Sequence, residues 1–291
     1  MTNRSTDLPA LPTLRDWELQ AAAQLEAAGL PSPRSDAAAL LEYGLGLSRT
    51  GRLLHQSDRL DMDGLARLDA LLARRLRREP LQYLLGPLEW GGVQLHCDAR
   101  ALVSRPETEW LLHLALSDPA VPAAARVADI GTGSGALALG WKAARPGSRV
   151  TAVDLSTDAL ALAAENAALN GLEIQLLHGD LLAPLAGQPP ADLILSNPPY
   201  LPDSDAGTLA PEVDHDPALA LYGGPDGLTL ARRLAAQASS ALAPSGVLWL
   251  ELDPRNAAAF AAELTAQGWQ AQVHPDLTGR ERFVRAVRTA G

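Results

Sequence analysis

The sequence predicts an α/β protein built on an open, mostly parallel sheet, with a smaller helical domain ahead of it. Three observations carry that prediction. Short apolar runs at 126–128, 149–153, 174–178 and 191–196 alternate with helical stretches such as Ala136 to Ala144, the pattern of strands buried on both faces. Each run ends in residues suited to chemistry, namely a glycine-rich turn, Asp154, Asp180 and Asn197, where open α/β sheets hold their ligands. Finally, Leu65, Leu68, Leu72 and Leu76 form one apolar stripe at helical spacing in an N-terminal region with no strand pattern. A chain of 291 residues accommodates both domains.

In chain order, Leu14 to Ala28, Ser35 to Leu45, Arg49 to Leu54 and Leu65 to Arg78 read as short helices. Thr13 and Ser35 are the expected N-caps, and Gly29-Leu30-Pro31 and Gly44 to Gly46 the stops. Arg74, Arg75, Arg77 and Arg78 fall on outer faces, where they are either solvated or meet an acidic partner. Leu88, Trp90, Val93 and Leu95, spaced around Gly91-Gly92, predict a β-hairpin bridging the domains. The expected division is a helical domain over 1–85, a hairpin linker over 86–105 and the α/β domain over 106–291.

Gly131-Thr132-Gly133-Ser134-Gly135 follows the first strand and opens a helix. Its glycines permit positive φ and close approach of a ligand to the backbone. The spacing is G-x-G-x-G rather than the dinucleotide G-x-G-x-x-G, which favours a nucleoside without phosphates. Asp154, at the end of the second strand, stands where a carboxylate takes both ribose hydroxyls. Asp180, followed by Leu181, ends the third strand and reads either as a ligand contact or as a cap for the next helix.

Asn197-Pro198-Pro199-Tyr200 ends the fourth strand. Two prolines stiffen the loop and remove backbone donors, leaving mostly acceptors. The Asn197 side-chain carbonyl and the Pro198 main-chain carbonyl suit the hydrogens of a planar NH2 group, with the Tyr200 ring stacked on the attached plane. The alternative is a proline-rich turn that merely closes a strand.

Composition excludes several classes. Cys97 is the only cysteine, so internal disulfides and a cysteine-based zinc site are ruled out, and the six histidines lack ligand spacing; no metal is expected. The net charge of −10 resides almost wholly in residues 91–291, a poor match for a phosphate backbone, so duplex nucleic acid is disfavoured and a protein substrate preferred. With neither a signal-peptide pattern nor an apolar run of membrane-spanning length, a cytoplasmic protein is expected, by default a monomer.

The order GTGSG, Asp154, Asp180, NPPY resembles the class I S-adenosylmethionine-dependent methyltransferases that act on planar nitrogen. Pro80 to Gly86 and Ser104 to Glu109 narrow the resemblance to the protein-(glutamine-N5) methyltransferases, and within them to those acting on peptide chain release factors. Glu212-Val213, His215 to Leu221, Gly223 to Leu228 and Asp276 to Arg282 agree with it. The resemblance implies a Rossmann-like, seven-stranded catalytic domain. It implies S-adenosylmethionine as methyl donor and S-adenosylhomocysteine as product, with Gly131, Thr132, Gly133, Ser134, Gly135, Asp154, Asp180, Leu181 and Asn197 at the cofactor. Asn197, Pro198, Pro199 and Tyr200 would hold the substrate, the glutamine of a Gly-Gly-Gln loop in class 1 release factors, and the N-terminal helices would grip that factor. Ribosomal-protein glutamine methylation is the nearest alternative, and adenine-N6 methylation of a flipped base a more distant one.

Three positions depart from the pattern. Leu181 stands where an aromatic often lines the adenine site, Asp253 where a glycine usually ends the fifth strand, and Ser104 where an apolar residue precedes Arg105-Pro106.

Overall fold

A computed structural model describes residues 10–209 and 211–288, and the chain divides after Gly86 into two compact units. The first is helical: α1 (Leu14–Ala27), α2 (Pro33–Leu45), α3 (Arg49–Leu54), α4 (Met62–Leu76) and α5 (Leu81–Leu84). Its core is Trp17, Ala21 and Leu25 of α1 packed with Leu40 and Leu41 of α2 and Leu68 and Leu72 of α4. Thr13 caps α1 in a full capping box with Asp16, which satisfies two otherwise unpaired N–H groups.

Ser35 is not a cap. α2 starts at Pro33, because a proline in the first helical turn lacks only an N–H that would have had no partner. α4 starts three residues earlier than its leucine stripe suggests, since Asp61 accepts from Gly64 N at 2.7 Å and caps it there. The arginine run is also not an outer, solvated face. Arg75 is buried, with Nε 2.8 Å from Asp36 Oδ2, and also donates to the Glu79 carbonyl. Arg74 pairs with Glu79, and Arg78, at φ +67°, donates to the Ala28 and Gly29 carbonyls at the end of α1. Arg77 alone of the four is exposed. These side chains tie α4 to α1 and α2.

The second unit begins with the hairpin β1 (Leu88–Trp90) and β2 (Val93–Leu95), turning at Gly91-Gly92 with both φ positive. The hairpin packs inside this unit rather than forming a separate linker. Its Trp90, Val93 and Leu95 join α6 (Pro106–Leu116) and later helices in one core cluster. There follow β3 (Arg126–Ile130), α7 (Ala136–Ala144), β4 (Arg149–Asp154), α8 (Thr157–Asn170), β5 (Gln175–His178), β6 (Ala191–Ser196), α9 (Thr229–Ala241), β7 (Leu242–Glu251), α10 (Ala257–Ala266), β8 (Trp269–Pro275) and β9 (Glu281–Arg288).

The sheet has seven strands in the order β5-β4-β3-β6-β7-β9-β8, parallel from β5 to β7 and antiparallel at β9 and β8. Alternation along the strands feeds two cores. Val127, Leu193, Leu195, Val247 and Trp249 face α6 and α7, whereas Ala128, Ile194, Leu248 and Leu250 face α9 and α10. Strand order reverses at β3, between β4 and β6, so a crevice opens beyond their carboxyl ends. Asp253 resolves the loop after β7 without a glycine: its Oδ1 accepts from Arg255 N at 2.8 Å, and its carbonyl accepts from Asn256 N. This is an Asx-type turn that needs no positive φ.

Candidate active site

The first βα turn is shaped by Gly131, Gly133 and Gly135, at φ +69°, +55° and +86°. A Cβ on Gly131 would meet open space, so its backbone faces the crevice; one on Gly135 would press on Ala163 and Leu139, so that glycine serves helix packing. Gly133 N donates to Asp154 Oδ2 at 2.8 Å, which locks the turn to the end of β4, and Asp154 Oδ1 accepts from Ser156 N at 2.9 Å. Beneath the turn, buried Asp129 accepts from Thr132 Oγ1 at 2.6 Å and from Ala138 N at 3.0 Å through Oδ2, while Oδ1 has no partner. Burial pushes its carboxyl up to about 7.

Asn197 follows β6. Its Nδ2 donates to Thr108 Oγ1 of α6 at 2.9 Å, and Thr108 Oγ1 donates to Glu251 Oε2 at the end of β7 at 2.8 Å. Glu251 is fully buried, and burial pushes it up to about 7. The loop after Tyr200 is held by an exchange in which Leu201 N donates to Leu221 O and Gly223 N to Leu201 O. A Cβ on Gly227 would stand 2.1 Å from the Tyr200 carbonyl, and one on Gly223 2.3 Å from that of Pro199. Only bare backbone fits there, which accounts for the glycines of the 223–228 segment.

A cavity of about 220 Å³ gathers these groups. Of the residues expected at the site, Gly131, Thr132, Gly133, Ser134, Asp154, Asp180, Leu181, Asn197 and Pro199 line it; Gly135, Pro198 and Tyr200 do not. Tyr200 is half-buried against the α9–α10 core, and burial pushes its phenol well above the ordinary range. Asp180 pairs with Arg233, which also lines the cavity. Leu181 adopts φ +50°, a left-handed conformation uncommon for leucine and found where a site dictates the backbone. Ser104 reaches Ser134 Oγ at 3.2 Å, so its hydroxyl has a role at the cavity wall. Sequence reasoning overlooked Thr108, Asp129 and Glu251 as site residues. A larger cavity, about 510 Å³, lies at the amino ends of the strands beside Arg126 and Arg149 and includes none of the expected site residues.

Residues 16–86 match the family described as the PrmC N-terminal domain, and 108–212 the methyltransferase small domain. A release factor glutamine methyltransferase of Deinococcus radiodurans is 59% identical over 278 residues, 96% of this chain and 99% of that protein. The chain belongs to the release factor glutamine methyltransferase family. A second member, from Mycolicibacterium smegmatis, is 42% identical over 93% of this chain and 96% of its own length. In fold, the chain is similar to a methyltransferase from Pyrococcus furiosus, with a TM-score of 0.52, 19% identity, and coverage of 67% of this chain and 88% of that one. As a methyltransferase it is an enzyme. No helix among the described residues is long and apolar enough to cross a membrane.

Proposed function

We propose that this methyltransferase moves a methyl group from S-adenosylmethionine to the side-chain nitrogen of the glutamine in the Gly-Gly-Gln loop of class 1 release factors. One observation supports the reading above others: a single cavity is lined both by the glycine-rich turn with Asp154 and by Asn197 on a proline-stiffened loop.

The residues present suit the donor. Asp154 spends one lone pair of each oxygen on a backbone N–H and keeps others for two ribose hydroxyls. Leu155 and Leu181 offer apolar walls to a base, and the Asp154 carboxylate favours a cationic ligand. S-adenosylmethionine supplies, when bound, the electrophilic methyl of its sulfonium. The protein supplies alignment. A carboxamide nitrogen is a weak nucleophile, and holding it in line is worth roughly 7–11 kcal/mol at best. The Asn197 side-chain carbonyl, at the cavity, accepts an amide hydrogen and favours the positive charge that grows on nitrogen. Tyr200, kept protonated by burial, is no proton acceptor at neutral pH; its ring buttresses the loop from the α9–α10 side. The helical unit of residues 16–86, which matches the PrmC N-terminal domain, is proposed to dock the release factor.

Asp154→Ala removes the charged acceptor for the ribose and frees the Gly133 N–H. At about 1.5–3 kcal/mol for hydrogen bonds to a charged group, donor affinity is expected to fall roughly 10- to 100-fold. Isothermal calorimetry checks this, and unchanged affinity would remove Asp154 from the cofactor site. The function itself is tested by offering labelled donor to purified release factor, ribosomal protein and DNA in parallel and locating the added mass of about 14 Da, one transferred methyl, by mass spectrometry. Label on the Gly-Gly-Gln glutamine is the expected result; label confined to ribosomal protein or DNA overturns the reading.

A further inference from the structure

Resting on that reading, we infer that Thr108 and Glu251 are positioning residues that set which end of the Asn197 carboxamide faces the cavity. The reasoning is one of hydrogen-bond polarity. An Asn side chain is pseudo-symmetric, and a flip of its amide would present NH2 rather than a carbonyl to the substrate, repelling the hydrogens it must receive. Something must fix the orientation. Ionised Glu251 is an acceptor only, so Thr108 Oγ1, 2.8 Å away, must donate to it. Its hydroxyl hydrogen thus committed, Thr108 can only accept from Asn197, and the atom 2.9 Å from it must be Nδ2. The Asn197 carbonyl oxygen is left for the cavity, which Asn197 and Thr108 both line. The three residues come from the β6 end, α6 and the β7 end, and Thr108 and Glu251 are both buried. Buried polar networks of this sort orient ligating groups with little freedom to relax.

The device has a built-in pH dependence. Glu251 faces Arg282 of β9, which favours its charged form, and Glu107 of α6, which opposes it; the Tyr200 phenol is also near. Burial outweighs these and brings its titration up to about 7. Neutral Glu251 can itself donate to Thr108, whose hydroxyl is then free to donate to Asn197 and reverse the amide. Turnover should therefore fall as pH drops through this range. The glutamine substrate has no group titrating there, but Asp129 beneath the glycine-rich turn, also pushed up to about 7 by burial, does, so the share belonging to Glu251 is the share that E251Q removes.

Thr108→Val keeps the shape and removes the hydroxyl. Its kcat is expected to fall by about 10- to 100-fold, the usual effect of losing an orienting partner, with donor affinity and KM for the release factor little changed. Thr108→Ser should restore most of the loss. E251Q, unable to be an obligate acceptor, should lower kcat and remove the Glu251 part of the acidic limb of its pH profile. Independently of turnover, the Nδ2 proton resonances of Asn197 in the cofactor-free protein should shift with pH around the Glu251 titration in the wild type and not in E251Q. Wild-type methylation of release factor stands or falls with the functional reading; the ratio of variant to wild type, and the resonances, test the relay alone. Wild-type kcat in T108V, an acidic limb as steep in E251Q as in the wild type, or Asn197 resonances indifferent to Glu251 would overturn it.

Discussion

Replacing Asn197 with alanine is expected to lower the methylation rate by about 10²- to 10³-fold, the cost of deleting one preorganised group that meets charge developing in a transition state. The substitution removes the carbonyl that orients the substrate NH2 and leaves Thr108 Oγ1 without the donor 2.9 Å away. It leaves intact the turn of Gly131 to Gly135 and its bond from Gly133 N to Asp154. S-adenosylmethionine should therefore bind Asn197→Ala with close to wild-type affinity, and the loss should appear in single-turnover methylation rather than in KM. Turnover within a few-fold of wild type would show that the carboxamide does not touch the reacting nitrogen.

The second large effect concerns the fold. Asp118, just after α6, is buried and accepts from Trp249 Nε1 of β7 at 2.9 Å and from Arg285 Nε of β9 at 2.6 Å. Burial raises its carboxyl, but the bonds from Arg285, Ala120 and Trp249 outweigh that, and it sits below its ordinary range. Asp118→Ala would leave the Arg285 guanidinium and the indole N–H without their acceptor beneath the sheet. Breaking one side of a buried ion pair costs about 3–5 kcal/mol, a large part of the stability of an ordinary domain. Urea denaturation should show the midpoint of the second unit falling by a corresponding amount, and a change below about 1 kcal/mol would mean that solvent reaches the pair. Because the folded carboxyl titrates lower than the unfolded one, this contribution is present above the ordinary carboxylate range and is lost as pH falls below it.

How much of this was legible depends on the distance along the chain over which each interaction acts. β6 was bounded correctly at Ala191 and Ser196, and α7 at Ala136 and Ala144, because hydrophobic period and flanking glycines are local signals. The same holds for the Thr13 cap, whose partner Asp16 is three residues away. The arginines after Leu72 show the opposite case. Charge and periodicity put Arg75 on an outer face, either solvated or meeting an acidic partner, but could not name Asp36, 39 residues earlier, since no pattern within α4 announces it.

The site divides in the same way. Sequence alone determined the chemistry on offer: a glycine-rich turn, a carboxylate at the next strand end, and a donor-poor Asn-Pro-Pro-Tyr loop, each a property of a few adjacent residues. Tertiary structure alone decided which of these share a cavity, that Tyr200 buttresses the loop from the core side, and that Asn197 has a polarity. That polarity comes from Thr108, 89 residues away, and through it from Glu251, a further 143 from Thr108. Hydrogen bonds between groups so far apart exist only once the sheet has brought the ends of β6 and β7 beside α6, and only then does burial give the Glu251 carboxyl its altered titration.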